Sequence, residues 1–276
     1  MKIIRRGLEI RCVNSAGVDV RRYTLDLLGR VTEIPRTGSS LRIVAFSDWR
    51  VQHIGGLIHF IKAQKKRPDL ILYAGDDVQR FRPPRRNLFA QIARLSVNGL
   101  CAVAGNDDPP ACRDLIAGRH VHAVHSCALV LGRFAVVGVE GAPLFREDTE
   151  HRNIGRLLYP ERVLARQMMR WRTPALANKK LIILSHAPPF GVLDFAVRYG
   201  PRSIGSRPLR EFLEADTNSL LCVCGHVHRC GGQTSTVGQC LVVNAASHDS
   251  PGDVGKVALI DARNGKVSGV NWHPLT

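Results

Sequence analysis

The chain has 276 residues, and its 39 Lys and Arg against 23 Asp and Glu give a net charge of +16 with His neutral. Hydrophobic residues at 45% and charged residues at 22% match ordinary globular proteins and exclude a disordered or collagen-like chain. No apolar run reaches about 18 residues, so no membrane span is predicted. Residues 1–11 lack the continuous apolar stretch of a signal peptide, so we expect a cytoplasmic protein.

Arginine carries most of the positive charge. A basic surface attracts anionic partners, so the charge suits a phosphate-bearing substrate or a nucleic acid. An arginine-rich composition without functional meaning explains the same charge equally well.

The eight cysteines are scattered and include no C-x-x-C pair. In a chain without a secretory signal, this distribution predicts reduced, mostly buried thiols. A zinc site formed by Cys224, Cys230 and Cys240 with the neighbouring histidines is an alternative that the spacing does not favour.

Residues 1–40 contain short apolar stretches and predict an N-terminal extension of one or two accessory strands. A regular pattern begins at Leu41, which opens a predicted domain over 41–276. In this first half, buried strands are predicted at 41–46, 70–74 and 100–104, and helices at 54–66, 88–95 and 109–116. Because strands and helices alternate, we expect a parallel sheet with helices on its faces.

The second half continues the α/β pattern. A hairpin around Gly132 is predicted from two short apolar runs, 128–131 and 134–139. Helices are predicted at 160–171 and 209–213, and strands at 181–184, 220–223, 239–243, 256–260 and 266–270. Two sheets packed together and covered by helices account for this order.

Polar residues follow five of the predicted strands. They are Ser47-Asp48-Trp49-Arg50, Gly75-Asp76-Asp77, Gly105-Asn106-Asp107-Asp108, Ser185-His186 and Gly225-His226-Val227-His228. In open α/β sheets, ligands bind beyond the carboxyl ends of the strands. Asp, Asn and His together form an oxygen and nitrogen donor set that suits divalent first-row metals. Glycine precedes three of these groups, where it permits unusual backbone angles and close approach.

This series resembles the calcineurin-like metallophosphoesterase superfamily, whose pattern is D-x-H, G-D, G-N-H, H and G-H-x-H in this order. The resemblance covers roughly residues 41–250. It implies a four-layer α/β/β/α sandwich with two divalent metal ions (Mn, Fe, Zn, Co or Ni) at the carboxyl ends of the strands. One metal would be held by Asp48, Asp76 and His228, and the second by Asp76 as a bridge with Asn106, His186 and His226.

The resemblance implies a hydrolase of phosphoester bonds: phosphodiester, phosphomonoester or pyrophosphate. A metal-bound hydroxide would attack phosphorus while both metals stabilise the developing charge. Two alternatives remain. One is a catalytically weak scaffold that binds a nucleotide, a nucleic acid or a protein. The other is a nuclease, for which affinity would fall steeply with salt.

Arg50 departs from the family pattern, which has a histidine ligand there. A guanidinium has no lone pair to donate to a metal. Either the first metal keeps three protein ligands and an open position, or Arg50 replaces that metal's charge and binds substrate phosphate. His53 could compensate as a ligand, but we prefer a polar residue at a helix start.

Asp107 is the second departure, since the family has its catalytic histidine there. Asp107 could act as an acid only if burial or a neighbouring carboxylate raised its pKa. Instead of this acid role, we prefer that Asp107 makes an additional contact to a metal or to water.

Other residues border the predicted site. The loop after Asp76 contains four arginines that could bind phosphate or simply be solvated: Arg80, Arg82, Arg85 and Arg86. Asn244 and His248 could orient the ligand imidazoles, although we prefer a turn role for His248. The segments 141–144 and 190–199 are predicted to shape the substrate site.

Overall fold

The computed structural model describes residues 2–6, 9–13, 19–26, 29–35, 38–125, 127–144, 155–197, 200–248 and 253–275. Residues 198 and 199, at the end of the predicted substrate loop, lie outside these ranges. Among the described residues, none of the helices has the length and apolar character that crossing a bilayer requires.

The described residues form many strands and a few short helices. The strands are β1 Lys2–Arg6, β2 Glu9–Val13, β3 Asp19–Asp26, β4 Gly29–Ile34, β5 Ser40–Phe46, β6 Leu70–Tyr73, β7 Leu100–Ala102, β8 Val121–Ala123, β9 Cys127–Leu131, β10 Phe134–Val139, β11 Ala142–Pro143, β12 Leu158–Tyr159, β13 Lys180–Ser185, β14 Phe195–Ala196, β15 Arg202–Ser203, β16 Ser219–Cys224, β17 Gln233–Val237, β18 Cys240–Asn244, β19 Gly255–Arg263 and β20 Lys266–Leu275. The α-helices are α1 Ile54–Lys62, α2 Leu88–Ala93, α3 Glu161–Met169 and α4 Arg207–Ala215. Short 3-10 helices lie at Val51–His53, Val78–Phe81, Pro110–Leu115 and His228–Cys230.

Two large sheets carry the fold in the described part of the chain. One has the order β20-β19-β5-β6-β7-β8, with β5 to β8 parallel. The other has the order β1-β2-β3-β4-β9-β10-β13-β16-β18-β17, with β10, β13, β16 and β18 parallel. In each parallel set the carboxyl ends of the strands therefore lie at one edge.

The burial pattern of the strands explains the four layers. On β5, Leu41 and Ile43 face the core between the sheets, whereas Val44 and Phe46 face a second core. That second core is covered by α1 and α2, whose buried side chains include Leu57. On β10, alternate residues divide in the same way between the central core and a third core under α3 and α4. Because both faces of these strands are buried, they read as continuous apolar runs. The predicted α/β/β/α sandwich is confirmed.

Most predicted elements from residue 41 onward are confirmed, with shifted ends. The first helix ends at Lys62 instead of residue 66, since Gln64, Lys65 and Lys66 contribute no buried side chain. The hairpin at Gly132 is confirmed, and Gly132 has the positive φ of 59° that the turn needs.

Three expectations were wrong or incomplete. The N-terminal 40 residues form four strands instead of one or two, and they extend the second sheet because β4 pairs with β9. The segment predicted as a helix at 109–116 is a 3-10 helix over Pro110–Leu115 that buries only Cys112. The edge strands β8 and β17 were missed because they are short or polar. The domain boundary near residue 40 stays a prediction.

The cysteines of the described side chains are buried free thiols, as predicted. Burial raises the pKa of Cys101, Cys222 and Cys224 well above the usual range, so these thiols are unreactive. Within the described residues, the group of side chains close enough to share a metal contains no cysteine. The structure therefore gives no support to the zinc alternative.

Candidate metal centre

The site lies where the carboxyl ends of both sheets meet. Asp48, Asp76 and His186 follow β5, β6 and β13, and their ligand atoms lie within 4.8 Å of one another. The first sheet supplies Asp48, Asp76 and Asn106, and the second supplies the histidines. Because each of these residues follows the end of a strand, residues from distant parts of the chain lie close together at this edge.

Asp48 and His228 form one half of the site. His228 Nε2 lies 3.1 Å from Asp48 Oδ1, and the His226 backbone N–H donates to Asp48 Oδ2 at 3.2 Å. Burial acts to raise the pKa of Asp48, but the His228 hydrogen bond and the charges of His186 and His228 hold it at about 2. Burial acts to lower the pKa of His228, but Asp48 raises it to about 9. A metal ion that binds here would displace a proton from His228.

His186, Asn106 and Asp76 form the other half. His186 Nδ1 lies 2.8 Å from the Ala74 carbonyl oxygen, which can only accept, so this nitrogen carries a hydrogen and donates to it. Nε2 then faces Asn106 Oδ1 at 2.9 Å and Asp76 Oδ2 at 3.5 Å. Asn106 Nδ2 donates to Asp107 Oδ1 at 2.8 Å, which turns the amide oxygen toward His186.

Asn106 Oδ1 and Asp76 Oδ2 carry lone pairs that face His186 Nε2, so a proton or a cation must lie among these three atoms. A divalent cation with oxygen and nitrogen ligands satisfies such a group. The residues present therefore fit a metal ion at this half of the site.

His226 joins the two halves. Its ring centroid lies 5.1 Å from that of His186, and its backbone binds Asp48. Burial, together with the charge of His186, lowers the pKa of His226 to about 3. The ring is thus neutral and has a lone pair to offer a metal.

Asp76 is the most crowded of the carboxylates. Burial, followed by the charges of Asp48, Asp107 and Asp108, raises its pKa well above the usual range. Its Oδ1 accepts from the Asp107 backbone N–H at 3.0 Å. The site gathers negative charge that a cation would neutralise.

The backbone of the site is strained. Asp48, Asp76, Asp77, His226 and His248 have positive φ values between 52° and 65°, which side-chain-bearing residues rarely adopt. Such conformations persist where the surrounding structure imposes them, and they cluster at functional sites.

The three glycines are needed for close packing within the site. A Cβ on Gly105 would lie 1.8 Å from Asp76 Oδ1, and one on Gly225 would lie 2.4 Å from Asp48 Oδ2. Gly75 has φ +104° and would contact the Gly105 backbone. The close approach at Gly105 and Gly225 is thus to the carboxylates themselves, and at Gly75 it is to the backbone of Gly105.

Asp108 belongs to the polar group that follows the third predicted strand, but the sequence did not predict the supporting role that the structure gives it. Its buried carboxylate accepts from the Val78 N–H and from the Gly105 N–H, both at 2.8 Å. Burial raises its pKa to about 6, against the lowering effect of these two hydrogen bonds. Asp108 ties the loop of Asp76 to the loop of Asn106. Its only signal in the sequence is its position beside Asn106 and Asp107, which an ordinary turn residue shares.

Replacement of Asp108 by Ala is expected to weaken metal binding about 10- to 100-fold, as for residues that orient metal ligands. It leaves two buried N–H groups unpaired, each worth about 1–3 kcal/mol of stability. Titration of the apo-protein with Mn²⁺ and thermal unfolding measure the two effects. Unchanged Mn²⁺ affinity in a folded Asp108→Ala protein would contradict this role.

Asn244 and His248 support the loop of the two histidines. Asn244 Nδ2 donates to the carbonyl oxygens of Gly225 and Val227 at 3.3 and 3.2 Å. The His248 carbonyl oxygen lies 3.3 Å from His228 Nδ1. His248 thus contacts the ligand histidine through its backbone, and its positive φ agrees with a turn role.

The residues that depart from the family pattern lie beside the ligands. Arg50 is partly buried and lies near Asp77, whose pKa is raised by burial against the opposing charges of Arg80 and Arg50. His53 stacks on the His248 ring at 5.0 Å and is not among the side chains that cluster around Asp76. Asp107 contacts Asn106, as described above, and Arg156.

In the basic loop after Asp76, two of the four arginines bind groups of the protein and two are exposed. Arg80 pairs with Asp77 at 3.3 Å, and Arg82 donates to the carbonyl oxygens of Leu115 and Ala117. Arg85 and Arg86 are exposed.

Comparison with known proteins agrees with this geometry. The model of the calcineurin-like phosphoesterase family matches residues 41–230. Comparison with curated proteins by sequence gives no match. Among solved structures, TT1561 of Thermus thermophilus superposes with a TM-score of 0.60 at 19% identity, over 85% of this chain and 98% of that one. Another superposes with a TM-score of 0.58 at 18% identity, over 86% and 100%. At such identities, the structural likeness shows the fold.

The family match is the stronger finding, because it spans more than half of the chain and includes all six candidate metal ligands. The chain belongs to the calcineurin-like phosphoesterases.

Proposed function

We propose that this protein is a metal-dependent hydrolase of phosphoester bonds with a dinuclear centre. The observation that carries the proposal is the convergence of His186 Nε2, Asn106 Oδ1 and Asp76 Oδ2 beside the Asp48–His228 pair. Polar atoms grouped in this way need a proton or a cation among them, since buried acceptors are costly without a donor or a cation.

The six ligands divide between two ions. Asp48 and His228 would hold one, and Asn106, His186 and His226 the other, with Asp76 between them. When bound, two such ions supply charge neutralisation at a phosphoryl group and an activated water. Manganese, iron, zinc, cobalt and nickel all suit the donor set.

The protein's own residues orient these groups. The Ala74 carbonyl fixes the tautomer of His186, Asp107 fixes the amide of Asn106, and the His248 carbonyl orients His228. Arg50 would donate hydrogen bonds to a phosphate oxygen, because a guanidinium binds phosphate in a planar, bidentate manner. We propose that Asp107 positions the side chains of Asn106 and Arg156. The alternative is that Asp107 acts as an acid.

The test is to load the purified apo-protein separately with Mn, Zn, Fe, Co and Ni, and to measure bound metal and turnover. Substrates are a phosphodiester and a phosphomonoester, each with a good leaving group. We expect two metals per chain with turnover in at least one form. The His186→Ala protein should bind less metal and lose turnover, and wild-type turnover in it would count against the mechanism.

A second candidate is a catalytically weak scaffold that binds a nucleotide, a nucleic acid or a protein. It is favoured by Arg50 and Asp107 in place of two family histidines, and by the exposed Arg85 and Arg86 beside the site. Stoichiometric binding without turnover under every metal would support it. For nucleic acid, including a nuclease role, affinity should fall steeply with salt.

A further inference from the structure

Arg156 lies beside the centre and is not part of the ligand set. Its Nη1 lies 3.5 Å from Asp107 Oδ1, and about half of each side chain is exposed. Asp107 also accepts from Asn106 Nδ2 at 2.8 Å. Arg156 is therefore linked to the Asn106–His186 half of the site through one carboxylate.

The turn that carries Arg156 is fixed to the site by its backbone. The Leu157 N–H donates to the Asn106 carbonyl oxygen at 3.1 Å, and the Ala142 N–H donates to the Leu157 carbonyl oxygen at 3.0 Å. Gly141 allows this packing, since a Cβ there would lie 2.1 Å from the Leu157 oxygen. The Arg156 backbone therefore keeps its place relative to a metal ligand.

A buried polar network anchors the end of the same turn. Tyr159 O–H donates to Glu140 Oε1 at 2.5 Å, and the Arg113 guanidinium pairs with the same carboxylate at 2.5 Å. Glu140 is only 2% exposed. Tyr159, three residues after Arg156, is thus held in place by a buried carboxylate.

The negative charge of Asp107 indicates a role for Arg156. A carboxylate such as Asp107, exposed beside a phosphate-binding centre, would repel the substrate, and a partner arginine offsets that charge. A guanidinium has five N–H donors, and one contact to Asp107 leaves others for an anion. In the sheet order β5-β6-β7, the strand that precedes Asp76 lies between the strands that precede Arg50 and Asp107.

We propose that Arg156, held by Asp107, binds an anionic oxygen of the substrate's phosphate group across the site from Arg50, and that this favours phosphomonoesters. A monoester phosphate presents two negative charges and three terminal oxygens, whereas a diester presents one charge and two. Two arginines on opposite sides of the phosphate would match the charge and the oxygen atoms of the monoester. This inference rests on the proposed function for the reaction, but the anion site itself can be tested without turnover.

The experiment measures orthophosphate binding and hydrolysis in one metal-loaded preparation. In the Arg156→Gln protein, we expect the Kd for orthophosphate and the KM for the phosphomonoester to rise about 10-fold, with a smaller change in kcat. The phosphodiester KM should change less. Metal content and Tm should match the wild type, which a structural role would alter. Arg156→Lys should recover part of the affinity.

The matched control is Arg162→Gln, which removes an exposed arginine from α3. It should leave phosphate binding unchanged. Equal phosphate affinity in Arg156→Gln and wild type would overturn the inference, as would a wild type that binds no phosphate, or an equal loss for mono- and diester. If phosphate binding depends on Arg156 but no ester is hydrolysed under any metal, the proposed function fails and the anion site stands.

Discussion

Replacement of Asp76 by Asn is expected to lower turnover at least about 100-fold, as for removal of a group that stabilises developing charge, and to reduce bound metal. A carboxylate oxygen of Asp76 lies within 4.8 Å of ligand atoms of both Asp48 and His186, one from each half of the site. Asp76 Oδ2 faces His186 at 3.5 Å, and its neighbours include the charges of Asp48, Asp107 and Asp108. Asn keeps the acceptor for the Asp107 N–H but removes the charge that would bridge two cations.

The same substitution should raise the Tm of the metal-free protein. A carboxylate whose pKa is raised by burial and by like charges destabilises the folded state when it is ionised, so removal of its charge is stabilising. With the folded pKa above the unfolded one, this penalty is absent below the unfolded pKa, grows as the pH rises between the two pKa values, and is complete above the folded pKa. Lost activity with gained stability is the signature of a functional residue.

Metal analysis, kcat/KM and calorimetry of the metal-free protein measure these effects. Asp114→Asn is the control, because Asp114 is an exposed carboxylate away from the described ligands. Wild-type metal content and turnover in Asp76→Asn would show that the centre is built on other residues.

The clustering of the candidate ligand residues could be predicted because their signal is local. Each follows an apolar run, and parallel strands end at one edge of a sheet, so Asp48, Asp76 and Asn106 had to lie near each other. The pairing of Asp48 with His228 depends on two sheets packing face to face, and only the family resemblance indicated it. Apolar runs alone do not specify which sheets pack together.

Asp108 and Arg156 could not be predicted for a different reason. An Asp after a strand is an ordinary turn residue by its sequence, and its role appears only when the Val78 and Gly105 amides are placed around it. Arg156 lies in an irregular turn, where no periodicity gives its direction. Irregular segments are positioned by long-range hydrogen bonds, such as the one from Leu157 to Asn106.

The N-terminal strands show a similar limit. Charged and polar residues interrupt the short apolar stretches of residues 1–40, so the alternation is weak and the number of strands is hard to predict. The β4–β9 pairing adds them to the second sheet, far along the sheet from β16, which precedes His226. The site is therefore assembled by the central strands, where the sequence signal is strongest.

Replacement of Gly105 by Ala is expected to weaken metal binding at least about 100-fold, beyond the usual effect of a change around a ligand. The added Cβ would lie 1.8 Å from Asp76 Oδ1 and 2.5 Å from the Asp76 backbone nitrogen. The carboxylate could rotate away, but the backbone nitrogen cannot move without displacing the end of β6. The methyl group therefore either moves the bridging carboxylate out of the site or separates the two loops.

Overpacking of this kind also destabilises a protein by about 1–3 kcal/mol. The effect is steric, since Gly105 does not have the positive φ that Gly75 has. Gly269→Ala is the matched control, because a Cβ there meets nothing within 4 Å, and it should change stability by no more than about 0.5 kcal/mol. Metal titration and thermal unfolding of both variants separate the outcomes. If folded Gly105→Ala bound two metals as tightly as wild type, Asp76 could not be the carboxylate that joins the two halves of the centre.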